Sequence, residues 1–181
     1  MISSELTLND LASKEYRKMN FDLHGSNSDY GGHGKLWLKP VSNILDHAKP
    51  TTVLDYGCGK NTLVKHLEEQ YPDIVFYSFD PCIPKYQNPP PKCDMVLCLD
   101  VMEHVEPNLL ENVLAHISYL SKKHVFMVIS TKEAKKTLPD GRNAHLIVEK
   151  PLWWLKRLCP LWKIDFMIDE KRDEMRILGR K

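Results

Sequence analysis

The chain has 181 residues, 43% of them hydrophobic and 27% charged, with a formal net charge of +1, the profile of one globular domain large enough to bury its own core. The near-zero charge leaves no electrostatic footprint that demands nucleic acid or an anionic membrane, and no apolar run reaches the length of a membrane span. The polar start Met1-Ile2-Ser3-Ser4-Glu5 is no signal peptide, so a cytoplasmic protein is expected.

Residues 5–20 carry Leu8, Leu11, Tyr16 and Met19 near helical spacing and predict an amphipathic helix. Asn20 to Lys35 is rich in Gly, Ser, Asn, Asp and His and reads as a loop with turns. A helix over 40–48 opens with Pro40 in its first turn and leads into a strand over 51–56. A helix over 60–70 and a strand over 74–79 follow. Pro81 to Lys92, with five prolines, reads as loop. The strand over 94–99 is almost wholly apolar, as a central strand covered on both faces should be. Leu110, Val113, Leu114, Ile117 and Leu120 mark a helix over 107–121, and a second continuous apolar strand covers 124–130. After a loop to about 145 come a Trp-rich helix over 151–158 and strands near 163–169 and 174–179. Strands alternating with helices, then a closing strand pair, predict an α/β doubly wound, mainly parallel sheet with one antiparallel strand at its C-terminal end.

The chemistry concentrates at the tip of the first strand. Val53-Leu54-Asp55-Tyr56-Gly57-Cys58-Gly59-Lys60-Asn61 is an apolar run ending in an acid and two alternating glycines, and the next strand ends in Phe79-Asp80. Glycines let the backbone approach a polar ligand where a Cβ would collide, and an acid at the second strand's tip is placed to grip a ribose diol. A dinucleotide fingerprint needs a third small residue and a pyrophosphate on the helix N-terminus. Here that position is Thr62, and Asp55 would repel the pyrophosphate. S-adenosylmethionine (SAM) has no phosphate, and its ammonium end tolerates a nearby acid, so these positions favour SAM.

With Tyr77 to Pro81 and the segment Asp100-Val101-Met102-Glu103-His104-Val105, this stretch resembles the class I SAM-dependent methyltransferases. Leu138 to Leu146, followed by Trp153-Trp154, is similar to a group of small bacterial and bacteriophage methyltransferases. The likeness covers about residues 40–181, which divides the chain into a SAM-binding domain over 40–181 and an N-terminal helix and lid segment over 1–39. One departure is the family's third motif glycine, here Asn61. Another is an omission: the family's usual helix–strand–helix does not fit in the 13 proline-rich residues from Pro81 to Cys93, so six strands are expected, with the usual third missing. The resemblance implies cofactor contacts at Asp55, Tyr56, Gly57, Cys58, Gly59, Asp80, Leu99, Asp100 and Val101. Adenine is expected against the loop after Asp80, at Pro81, Cys82 and Ile83.

Glu103-His104 either stabilise a short helical turn or act on the acceptor, and His145 is the other candidate base. Arg142, with Asn143, either holds a carboxylate or phosphate on the acceptor or belongs to a solvated loop with no chemical role. His24, Tyr30 and His33 sit between glycines in a segment that can fold over the cofactor as a lid, with Tyr30 reaching SAM and the histidines the acceptor. Five cysteines at 58, 82, 93, 98 and 159 form no C-x-x-C, and the eight histidines are scattered singly. Free thiols are therefore expected, and no metal site is supported by spacing. Asn88-Pro89-Pro90-Pro91 and Pro81-Cys82 resemble motifs of nucleic-acid methyltransferases, but both precede the central strand that those motifs follow.

The expected function is transfer of a methyl group from SAM to O or N of a small-molecule, sugar or nucleotide-type acceptor. The alternatives are a catalytically silent SAM-binding subunit and, less favoured, an NAD-dependent oxidoreductase. Exposed tryptophans in the helix over 151–158 would mark a homodimer contact.

Overall fold

A computed structural model describes residues 6–26 and 33–181, the side chains of residues 24–26, 33 and 35 excepted. Two helices, α1 (Leu8–Leu11) and α2 (Lys14–Ser26), open the described chain. A 3-10 turn over His33–Trp37 runs into α3 (Leu38–Ala48), followed by β1 (Thr52–Tyr56), α4 (Thr62–Gln70) and β2 (Val75–Phe79). Then come β3 (Cys93–Leu99), α5 (Leu110–Leu120), β4 (Ser121–Ser130), α6 (Pro151–Leu158), β5 (Lys163–Asp169) and β6 (Glu174–Arg180).

The six strands form a single sheet in the order β2-β1-β3-β4-β6-β5. β1, β2, β3 and β4 are parallel, and β6 runs antiparallel to both of its neighbours. Alternation along the central strands sorts the core into two layers, because successive side chains of a strand point to opposite faces. Val53, Met95, Leu97, Phe126 and Val128 pack under α3 and α4. Leu54, Val96, Cys98, Val125, Met127 and Ile129 pack under α5 and α6. Helices on both faces explain why β3 reads as an unbroken apolar run.

The shortened crossover is as expected. Between β2 and β3 there is one 3-10 turn, Pro84–Tyr86, and no strand, so β2 becomes an edge of the sheet.

Two N-terminal expectations need correction. The helix over 5–20 breaks at Ala12, which is extended at φ −156° and ψ 134°. Thr7 and Asp10 form a capping box on α1, while the Ser13 hydroxyl accepts the Tyr16 N–H at 3.1 Å and starts α2 afresh. The loop expected from Asn20 is helical as far as Ser26. Met19 and Leu23, one turn apart, pack against Ala12, Tyr16, Cys82, Leu138 and Ala144, and tertiary contact outweighs the polar composition. Trp153 and Trp154 cover hydrophobic surface rather than standing exposed for a dimer contact: Trp154 lies wholly in the core, and the Arg157 guanidinium sits 3.6 Å over the Trp153 ring, which packs against that core. Among the described residues no helix is long and apolar enough to cross a membrane.

Candidate active site

β1 and β2 are tied together at their tips, where the Gly57 N–H donates to the Phe79 carbonyl at 2.7 Å. Gly57 sits at φ +80°, and a Cβ built there would lie 2.4 Å from a methyl of Val101. The backbone is thus pressed against the loop that leaves β3, and only glycine fits. Asn61 takes φ 56°, ψ 35°, the left-handed conformation that Asn tolerates better than other side chains. The departure from glycine at this position therefore preserves the turn into α4. The Asn61 side-chain oxygen also accepts a hydrogen bond from the Ser78 hydroxyl on β2 at 2.8 Å.

Asp80 is buried at the end of β2. One carboxylate oxygen accepts the Gly59 N–H at 3.0 Å, and the other accepts the Cys82 N–H at 2.8 Å. The carboxylate thereby fixes the glycine loop to the turn that follows β2. The carboxylate keeps lone-pair capacity for a ligand. Burial raises its pKa, and the two backbone hydrogen bonds and one from Ile83 pull it down. Asp55 lies alongside, 5% exposed. Burial, and then the Asp80 charge, push it up to about 7. Two acids packed together out of water favour a cation between or beside them.

The third strand tip brings the other group of residues. Asp100 has φ 55°, a strained backbone for a non-glycine residue, and its carboxylate accepts the Trp37 indole N–H at 2.8 Å. The 3-10 turn Met102–His104 follows. Glu103 is 1% exposed. Its Oε1 accepts the Ser130 N–H at 3.1 Å, while Oε2 has no hydrogen-bond partner among the described residues. Burial first, with Asp100 adding to it, pushes Glu103 up to about 8.

His104 Nδ1 lies 2.8 Å from the Ala144 carbonyl, and His145 Nδ1 lies 2.6 Å from the Lys132 carbonyl. A carbonyl only accepts, so each Nδ1 carries the hydrogen, and in the neutral ring Nε2 carries the lone pair. The two rings meet edge to face with centroids 4.8 Å apart.

These strand tips open into one cleft of about 850 Å³. α1 and α2 form its roof. Tyr16 donates its hydroxyl hydrogen to the His104 carbonyl at 2.6 Å, and both oxygens of Glu106 accept hydrogen bonds from Ser13, at 2.7 and 2.8 Å. Lys132, Lys135, Lys136 and Arg172 line the side near the loop after β4.

Apart from Ile83, the cleft lining includes the expected cofactor positions among the described residues, from Asp55 to Gly59, Asp80 to Cys82 and Leu99 to Val101, together with Glu103, His104 and His145. Ile83, Arg142 and Asn143 are not part of that lining. The Arg142 guanidinium pairs with Asp140 at 2.7 Å on the surface, and the Asn143 amide holds the backbone of Ala134 and His145. Tyr30 and the side chains of His24 and His33 lie outside the described residues. The Cys58 and Cys82 thiols are pushed up by burial, which removes the thiolate a nucleophilic cysteine would need. Sequence reasoning missed Tyr16 and Trp37. Tyr16 looked like one more apolar helical position, and a lone Trp in a polar segment shows no sign that its N–H seeks a carboxylate.

Among the solved structures that this chain is similar to are methyltransferases of low identity. A magnesium protoporphyrin IX methyltransferase from Synechocystis PCC 6803, crystallised with S-adenosylhomocysteine (SAH), shares 16% identity at a TM-score of 0.62, with 83% of each chain covered. A 1,6-didemethyltoxoflavin-N1-methyltransferase from Burkholderia thailandensis shares 17% at 0.61, covering 94% of this chain and 90% of that one. An O-methyltransferase family protein from the same organism shares 11% at 0.59, and this chain spans only 61% of its length. At such identities the likeness is one of fold. No curated protein matches the sequence. A family model described as a methyltransferase domain matches residues 31–167, most of the chain, and the chain belongs to that family.

Proposed function

We propose that this chain transfers a methyl group from SAM to an oxygen or nitrogen of a small-molecule, sugar or nucleotide-type acceptor. The observation that carries the reading is the buried acid pair Asp55 and Asp80 beside the Gly57–Asn61 loop, in the same cleft as Glu103, His104 and His145. SAM supplies an electrophilic methyl on a sulfonium whose leaving group needs no proton. The donor set fits such a ligand, since its ammonium answers the Asp55 carboxylate and its ribose diol the Asp80 carboxylate, two acids that burial otherwise drives toward the neutral form. Asp80 would hold the ribose, Asp55 and the glycine-loop backbone the methionine end, and Pro81 and Cys82 the adenine. Leu99 to Val101 would line the side nearest the acceptor.

Much of the rate of an in-line displacement comes from alignment and exclusion of water, worth up to about 7–11 kcal/mol in well-oriented cases. Residues 40–181 then form the cofactor domain, and α1 and α2 supply the roof that shuts water out. The lone-pair nitrogens of His104 and His145 are the groups available to accept an acceptor's proton. Lys132, Lys135 and Lys136 share that side of the cleft with Glu133 and Glu174, a wall of mixed charge that supports a polar acceptor.

The competing reading, a silent SAM-binding subunit, rests on the departure at Asn61 and on the shortened sheet; the first support weakens because Asn61 keeps the left-handed turn, and the second stands. Calorimetric titration with SAM, SAH and NAD is the test. Binding of SAM and SAH but not NAD is expected, and binding of NAD alone would end the reading. SAH release that depends on added acceptor separates an enzyme from a silent subunit.

A further inference from the structure

We propose that Glu103, His104 and His145 form a divalent metal site on the acceptor side of the cleft. One carboxylate oxygen and one ring nitrogen from each histidine lie within 4.8 Å of one another, a spacing that a small shift converts to coordination of a single ion. Residue type, orientation and burial all favour the assignment. A ligating imidazole donates its other N–H to a carbonyl or carboxylate, which fixes the tautomer and turns the lone pair to the metal. Both rings do this, to the Ala144 and Lys132 carbonyls. The two carbonyls belong to the loop after β4, so the same backbone that carries His145 also orients His104.

Glu103 supplies the independent observation. Its side chain is almost wholly buried, and Oε2 has no partner among the described residues. Leaving a buried polar atom without a partner forfeits its hydration with nothing in return. A cation at the two ring nitrogens removes the cost. The structural alternative, that Glu103 merely caps the turn by accepting the Ser130 N–H, accounts for Oε1 and leaves Oε2 unexplained.

Two imidazoles and one carboxylate select first-row divalent ions over calcium or magnesium, and three protein ligands leave coordination positions open to the cleft. If the methyl-transfer reading holds, those positions suit an acceptor hydroxyl, which a metal acidifies. With both imidazole lone pairs engaged by the ion neither ring serves as the base, and the hydroxyl proton passes to water as the O–CH₃ bond forms and the S–CH₃ bond breaks, leaving neutral SAH sulfur. The acceptor class is then an alcohol, and an adjacent second oxygen could complete a chelate.

The test is titration of the full chain with cobalt(II), read by its visible absorption, and with manganese(II), read by electron paramagnetic resonance. One ion per chain is expected. His145→Ala and Glu103→Gln should each weaken binding by at least about tenfold, while His47→Ala, far from the cleft, leaves it unchanged. SAM affinity measured by calorimetry on the same variants reports whether they are folded, and in His145→Ala it should stay at the wild-type value. Absence of a bound ion, or equal affinity in wild type and His145→Ala, overturns the site. SAM binding without metal binding defeats this site and spares the transferase reading; metal binding without SAM binding does the reverse.

Discussion

Asn61 shows how a single position can depart from a pattern and keep its purpose. Its left-handed backbone, φ 56°, is the conformation a glycine would supply, and the Ser78 hydroxyl secures its side chain to β2. Asn61→Ala should therefore destabilise the protein by about 1–2 kcal/mol through the left-handed penalty alone, whereas Asn61→Gly should cost clearly less; urea unfolding measures both. Gly57 has no such latitude. With φ +80° and a virtual Cβ 2.4 Å from Val101, Gly57→Ala must push the β3 loop away, and calorimetry should show SAM binding lost. At Asp80 the sequence indicated a ligand-binding acid but not a loop anchor. The Cys82 N–H that the carboxylate holds belongs to a turn without periodic signal, so nothing in the spacing could reveal it. Asp80→Ala should then lose SAM affinity by about tenfold or more, since charge-assisted contacts to ligand and loop vanish together.

At the level of elements, the parallel strands were legible because helices cover both faces and leave continuous apolar runs, as in Cys93–Leu99. The missing third strand was legible from proline alone. The roof was not. Polar composition hid the helix through residues 20–26, and the break between α1 and α2 is written in the caps at Thr7, Asp10 and Ser13 rather than in hydrophobic spacing. A polar tie at the far end of the sheet also escaped notice. Asp94 at the start of β3 accepts the Thr51 N–H at 3.0 Å and the Thr51 hydroxyl at 2.7 Å, and Lys123 on β4 lies 3.3 Å away. Its pKa falls to about 2, chiefly through the Thr51 hydroxyl. A carboxyl lowered in this way stabilises the fold above its unfolded value near 3.8, and the contribution fades as pH falls toward 2. Asp94→Asn should accordingly cost about 1–3 kcal/mol at neutral pH, the scale of hydrogen bonds to a buried charged group. The difference from wild type in denaturant midpoints should shrink between pH 4 and 2; a constant difference would show that the ionised form is not what ties the strands.

Across the whole molecule, the cleft concentrates acids that the fold alone does not stabilise. Asp55 is pushed from 3.8 up to about 7 by burial and by Asp80. A raised carboxyl favours the folded state fully below pH 3.8, and that contribution disappears as pH rises through about 7. His116, on α5 against the Tyr56 hydroxyl at 3.0 Å, does the opposite. Burial lowers it from 6.5 to about 4, so its contribution appears as pH rises through the same range. The two trends offset one another in the wild-type stability curve, and that curve is a poor test. The difference between wild type and Asp55→Asn cancels His116 and isolates the acid. Asp55→Asn should gain stability relative to wild type steadily from pH 4 to 7, with each kcal/mol raising the melting temperature by about 2–4 °C. The ligand should read the same charge with the opposite sign. If the methionine ammonium seeks the ionised Asp55, SAM binds wild type more tightly as pH rises through about 7, and the dependence flattens in Asp55→Asn. A variant that gains stability while keeping the wild-type affinity profile would show that the acid destabilises the fold without serving the ligand, and the methionine end would have to lie elsewhere in the cleft.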